Sequence, residues 1–531
     1  IHRVYYPNTT TTWIVNKVAR ETIYPGIRPT DDNQNIASRT RYRYDGAECH
    51  NGAGQHWQRP PTKGVLTAMD RWAGNRGGTL DNCYDPNFDT TTYGYDQWGN
   101  LTRTTDPNGN TTITYYDATH HLYPVQVCNA LNQCTTTEYY GVNGVTADYG
   151  LPGQVKRVID PNGAATEYRY DSFGRLVKVK APDDPGWDVG QVTTRFGYVD
   201  APAGQFRIVT CSGRDAHWQE EYFDGLGRTI QVHQSADGQE IRVTTQYDAL
   251  GRVVKQWVPY YGTHGENGGY GEWGYVPPAS GLPHTTTTYD ALGRVTAVTN
   301  PDGTTSRSVY GIAQNPADPD FNGSGRAVIY TIDANNHFKR QSFDAYGRLL
   351  TVSESMGTWP NWVSEARTRY TYDVLGNLTQ VTDAAGNITT MTYDPLGRKT
   401  AMHDPDMGDW DYQYDAAGNL IVQDDARHQR TCFYYDQLNR LKGKYYTTDT
   451  TPCPANPTYA VSYTYDGLLR QDDFYGNVLP SGWSTSGNVS VSNGAARLVG
   501  SGAWGTYLQR TESRAEGVAI RFRFQVDTKG G

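Results

Sequence analysis

Three pairs of neighbouring acids, Asp183-Asp184, Asp424-Asp425 and Asp472-Asp473, have the type and proximity for acid–base chemistry of the glycosidase kind. Turn structure outweighs that reading, because aspartate recurs at turn positions in this chain whatever stands beside it. No catalytic residue and no enzyme activity are therefore expected. His120-His121, His403 and His428 show no metal-ligand spacing with cysteine or carboxylate and read as surface residues. Asp318-Pro-Asp320-Phe-Asn322-Gly323 alternates oxygen ligands ahead of a glycine, like the front half of a calcium loop. The twelfth position is Ile329 rather than a bidentate acid, so a solvated insertion is preferred and Ca2+ at Asp318, Asp320 and Asn322 is the alternative. Exposed aromatics could stack on sugars; Trp187, Trp257, Trp273, Trp359 and Trp362 stand in or beside insertions and are better placed for that than tyrosines repeating inside strands.

The elements that must carry these residues are repeats. Tyr372-Asp373, Tyr393-Asp394, Tyr414-Asp415 and Tyr435-Asp436 recur every twenty-one residues, each followed by a turn sequence such as Val-Leu-Gly-Asn or Pro-Leu-Gly-Arg. A second turn signal comes ten residues after each of the first three aspartates, so each repeat encodes two strands and two turns. Asp at the first position and Gly at the fourth describe a type I turn closed by a left-handed glycine bulge. The same structural set includes Tyr95, Asp96 and Gly99; Tyr170, Asp171 and Gly174; Asp224 and Gly227; Tyr247, Asp248 and Gly251; Tyr289, Asp290 and Gly293; Asp344 and Gly347; then Gly376, Gly397 and Gly418. In such a hairpin Tyr372 faces Leu378 and Tyr414 faces Leu420. Tyr370, Tyr412 and Phe433 share the tyrosine face, while Arg369, Thr371 and Gln413 point the other way. One face reads as aromatic and the other as polar. Cys128 and Cys134 occupy the Tyr and Leu positions of a variant turn, directly opposed, which suits a disulfide and an oxidising compartment; two reduced cysteines are the alternative. Cys49 and Cys83 could also pair, but their spacing does not establish it.

With 37% hydrophobic residues, 41 Tyr, 57 Gly and a mean hydropathy of -0.69, the composition suits a one-sided sheet with a largely aromatic buried layer. A net charge of -9 without a basic run argues against nucleic acid. No apolar stretch approaches the roughly twenty residues that span a bilayer. The first residue is Ile, so the chain reads as internal to something longer. Insertions are expected at 181–190, 259–283, 315–325 and 358–364, as loops projecting from an edge.

The motif Tyr-Asp-x-x-Gly-Arg/Asn-Leu/Val, with intervening Asp-Pro-x-Gly turns, resembles the RHS, or YD-repeat, family over roughly residues 40 to 470. Members include bacterial RHS polymorphic toxins, the C components of insecticidal Tc toxins and animal teneurins. The resemblance implies an all-β fold in which one long sheet spirals into a hollow shell. Sheet geometry points the same way, since about forty strands roughly 4.8 Å apart make a sheet whose twist forbids leaving it flat. Residues 472–531 resemble the opening strands of a concanavalin-like jelly roll, a β-sandwich too short here to close. The expected organisation is thus 1–90, an irregular opening segment with the first repeat; 91–471, the repeat shell; and 472–531, the incomplete sandwich. In toxin members the shell encloses a C-terminal effector freed by an aspartyl autoprotease near Asp-Pro-x-Gly-Leu. That motif is absent: Asp106-Pro-Asn-Gly109 and Asp160-Pro-Asn-Gly163 lack the following Leu, so cleavage cannot be carried over. The expected function is a secreted or cell-surface scaffold that encloses a downstream polypeptide or joins copies of itself. A carbohydrate-binding adhesin using the insertion tryptophans and the jelly-roll module is the alternative.

Overall fold

The computed structural model describes residues 1–5, 17–23, 36, 38–46, 62–74, 87–184, 186–187, 194–200, 206–212, 218–236, 239–262, 275–313, 326–361, 363 and 365–465, with four short strands beyond. Asp318, Asp320, Asn322, Trp273, Trp362, Cys49, Cys83 and the Asp472-Asp473 pair lie outside the described residues. All regular structure among those described is β. Among the described residues no helix is long and apolar enough to cross a membrane.

Among the described residues, the strands from His2–Tyr5 to Val461–Ser462 form one 34-stranded sheet. Pairing is antiparallel and runs almost entirely between neighbours in sequence, the pattern that short turns impose. One detour occurs where Tyr260–Gly262 returns to pair with Glu240–Arg242, on the same strand whose far half pairs with Val253–Trp257. Tyr372 stands opposite Leu378 and Tyr414 opposite Leu420, each beside a bulge, the register expected from a glycine-closed turn. The Tyr-Asp turns accordingly fall on one edge of the strip, and the intervening turns on the other.

The strip meets itself. Asn108, in a turn of the second edge, donates from its carboxamide to Asp394 on the Tyr-Asp edge at 3.1 Å. Likewise a Cβ on Gly74 would stand 3.8 Å from Cγ2 of Val374. Both contacts join residues separated by about twenty strands, so later hairpins seat their Tyr-Asp turns on the opposite edge of earlier ones. At about 4.8 Å per strand that circuit is about 100 Å long and about 30 Å across.

Burial differs from the expected aromatic layer. The tyrosines of the turns are half-buried, whereas the polar face holds the most deeply buried side chains, in three blocks. In the first, Arg41 lies opposite Asp70 and Arg39 opposite Thr22, all within 1% of full burial. Arg43 pairs with Asp70 at 2.7 Å, and Arg41 stacks on Phe88 at 3.5 Å. The second aligns Glu220, His233 and Arg242, then Tyr222, Gln231 and Thr244. The third joins Ser342 to Thr351 at 2.8 Å and Arg367 to Ser353 at 3.0 Å. Burial of charge on this scale requires partners, and these ladders supply them across strands. The tyrosines stay half-exposed because they lie along the sheet, their hydroxyls on backbone carbonyls of the preceding hairpin.

Contacts divide the chain into two units, Ile1–Ser462 and Tyr463–Gly531. In the second, Trp483–Ser486 pairs with Tyr507–Arg510 and Asn488–Ser492 with Ala495–Val499. Residues 466–482, where the sequence changes character, lie outside the described set.

Candidate functional site

The repeated unit is a bracket built from three side chains. Asp224 accepts the N–H groups of Leu226 at 2.9 Å and Arg228 at 3.0 Å on Oδ1, and binds Nε of Arg228 at 2.7 Å through Oδ2. The N–H of Gly227 closes the turn onto the Asp224 carbonyl, and its φ of 76° is one an L side chain adopts only with strain. Asp171, Asp248, Asp290, Asp344, Asp394 and Asp436 repeat the arrangement with Arg175, Arg252, Arg294, Arg348, Arg398 and Arg440. At Asp96, Asp373 and Asp415 the partner is a carboxamide, from Asn100, Asn377 or Asn419. Arg and Asn alternate because each supplies a donor to the second carboxylate oxygen. The last bracket uses Asn439, at a φ of 60°, in place of glycine.

The arginine reaches further. Its guanidinium covers the tyrosine of the next repeat, Arg228 over Tyr247 at 4.8 Å, Arg252 over Tyr289 at 4.6 Å and Arg398 over Tyr414 at 4.7 Å. The tyrosine answers by donating to the strand behind it, Tyr247 to the carbonyl of Thr229 at 2.9 Å, Tyr289 to Val253 at 2.7 Å, Tyr414 to Lys399 at 2.9 Å and Tyr435 to Leu420 at 2.9 Å. These two reaches were not read from the sequence. Their signal is the arginine recurring directly after the turn glycine. Bonded in this way, Asp224, Asp248 and Asp290 sit below the ordinary carboxyl range, Asp224 chiefly through the Arg228 side chain, Asp248 and Asp290 chiefly through the N–H of their arginines. Such groups are poor general acids.

The structure scatters the other chemistry. Asp424 is gripped by both arms of Arg430 at 2.8 and 2.7 Å, while its neighbour Asp425 caps a turn through Arg427 and Gln429 N–H groups. Asp184 is buried and holds the N–H of Ala181 at 2.7 Å. His403 and His428 are exposed and face Asp409 and Asp449, both at 2.6 Å; the Asp449 hydrogen bond raises His428 above its usual range. No cluster that would hold a metal is present among the described residues. Trp187 lies under Arg169 at 4.0 Å, and Trp359 packs between Tyr330 at 5.1 Å and Phe338 at 5.3 Å. Cys128 and Cys134 face each other and are bridged, with S–S 2.03 Å and Cα atoms 4.1 Å apart. A second bridge, Cys432–Cys453, was not expected, since Cys453 stands in a Pro-rich stretch outside the repeat register.

Trp257 differs from the other tryptophans. It lines a cleft of about 390 Å³ with Tyr247, Tyr275, Pro278, Thr245, Gln246 and the Asp224–Arg228 pair. The returning leg of the 259–283 insertion forms one wall. It is fixed by Gln231, whose buried amide donates to the Val276 carbonyl at 2.8 Å and accepts the Val276 N–H at 3.0 Å, as a neighbouring strand would. Thr244 and Tyr260 brace the same amide.

Comparison with known proteins gives four findings. A family model described as RHS Repeat matches residues 84–111, 95–127, 153–184, 279–305, 364–388 and 372–406. Residues 201–280, which include Trp257 and the Gln231 clasp, match a domain of unknown function (DUF6443). No curated protein matches the chain. Among solved structures it is similar to the TcdB2-TccC3 crystal structure, with 15% identity and a TM-score of 0.52 over 78% of this chain and 24% of that one. It is similar also to the TcdB2-TccC3-Cdc42 crystal structure and to the Photorhabdus luminescens Tc holotoxin pore carrying the TccC3 mutation D651A. Each of those two shows 13% identity and a TM-score of 0.55 over 85% of this chain and 29% of the other. The likeness is one of fold, and the chain spans about a quarter of the length of those it matches.

Proposed function

Since the chain belongs to the RHS/YD-repeat family, whose β-shell fold it shares, we propose that it is a non-enzymatic extracellular scaffold whose wound sheet encloses a polypeptide or builds an assembly outside the cell. The observation that carries this reading is the seating of Asp394 on Asn108 after about twenty strands. A strip that meets itself over such a circuit bounds a space about 30 Å across, room for a chain without tertiary packing. Two disulfides support the oxidising compartment that an exported protein meets. One of the structures similar in fold is a Tc holotoxin pore by name, and enclosure of a partner polypeptide is our extension from that likeness. Cryo-EM of the native full-length assembly tests it. Density inside the closed winding is expected; an open, empty sheet overturns enclosure and leaves the assembly role.

The Trp257 cleft favours a second reading, in which the scaffold also binds glycans. Its walls pair aromatic faces with a carboxamide, a hydroxyl and a charged pair, the mixture that suits a sugar ring. Saturable binding on a glycan array that disappears in Trp257→Ala is the expected result. An array without binding by the parent protein removes this reading.

A further inference from the structure

The residue two after each turn aspartate is a large apolar one in repeat after repeat, and its surroundings change along the chain. Phe173, Leu226, Leu250 and Leu292 are 81%, 78%, 77% and 79% exposed. At the same motif position Leu375 and Leu438 are half-buried and Leu396 is 41% exposed, about half the value of the other four. Local chemistry does not explain the change, because Asp248 and Asp373 accept the same pair of N–H groups in turns of the same kind. Position in the winding does. Leu375 belongs to the turn whose Val374 stands next to Gly74, and Leu396 to the following Tyr-Asp turn, the one held by Asn108. The turns at Asp373 and Asp394, which meet another edge, have lost solvent; the four in the first circuit have no such seat among the described residues.

We propose that the row Phe173, Leu226, Leu250 and Leu292 is a docking ledge for the opposite turn edge of a second copy of this chain. The junction inside the molecule shows what fits a Tyr-Asp edge: turns from the other side of the same kind of strip. A second copy presents that surface already folded, on the Asp383 and Asp404 turns of its later circuit. There Met407 is 53% exposed and Ile388 44% exposed, apolar tips that match the leucines. The contact continues between copies the junction already made within one. Ledge and seat are different surfaces, so the association is head-to-tail and can propagate. This inference stands apart from enclosure, since it needs only the outer turns of the strip.

Sedimentation velocity of the full chain over a hundredfold concentration range tests it. The parent protein is expected to gain mass with concentration. The triple variant Leu226→Glu, Leu250→Glu, Leu292→Glu is expected to stay monomeric with an unchanged circular dichroism spectrum, because these side chains touch little in the monomer. Met407→Glu is expected to show the same loss from the other side. A mixture of the two variants retains one intact ledge and one intact seat, so it should form dimers and nothing larger. Monomer at every concentration of the parent protein overturns the proposal, as does self-association unaffected by either variant. A mixture that fails to pair points to a two-fold contact and overturns it as well.

Discussion

A turn aspartate such as Asp394 serves four donors: two backbone N–H groups, the side chain of the arginine four residues on and, in this instance, Asn108 from an earlier circuit. Burial pushes its carboxyl up, but the Arg398 N–H and guanidinium outweigh that and hold it below the ordinary range. The tyrosine acts backward instead. In Tyr372→Phe the stacking of Arg348 on the ring survives while the bond to the Leu349 carbonyl is lost. Chemical denaturation should show a loss of about 1 kcal/mol, the usual net worth of one such hydrogen bond. A loss near zero would mean that water replaces the hydroxyl without cost.

Hairpins are the element in which sequence was most legible, and the reason is local. Asp at the first turn position and Gly at the fourth fix the bulge, and the bulge fixes the register, so Tyr372 opposite Leu378 and Cys128 opposite Cys134 follow from spacing alone. What spacing could not give is anything that depends on a distant part of the chain. The polar face is covered at Arg41, His233 and Arg367 and open at Thr371, although all stand on the same side of similar strands. The Trp257 cleft likewise depends on where the 259–283 insertion comes to rest. Cys453 finds Cys432 over a separation of 21 residues, against 6 for Cys128–Cys134. The longer loop constrains the unfolded chain more, about 3 kcal/mol against about 2 kcal/mol in the loop-entropy account. Cys432→Ser with Cys453→Ser should therefore lower stability by about 1 kcal/mol more than Cys128→Ser with Cys134→Ser, measured by denaturation of the two double variants.

For the whole molecule the brackets act as an array with a common dependence on pH. Asp224, Asp248, Asp290, Asp344, Asp394 and Asp436 all have carboxyls depressed below their ordinary values. A depressed folded-state value contributes stability that is complete above the unfolded value, about 3.9, and is lost as pH falls through the folded one. The sheet should therefore lose thermal stability steeply below about pH 4 and change little from this source between pH 5 and 8, as read from melting temperatures across that range. A melting temperature that holds steady below pH 4 would show that the brackets do not act together. The almost unbroken neighbour-to-neighbour pairing also decides how the strip responds to force. A ribbon whose strands are each bonded to the one before can be peeled from an end, a hairpin at a time, without shearing many bonds together. Drawn through a narrow passage from its C-terminal side, the sheet would unspool only as far as its last long strands. There the Cys432–Cys453 bridge lies across the path, so a reductant on the far side would decide whether the rest of the spool follows.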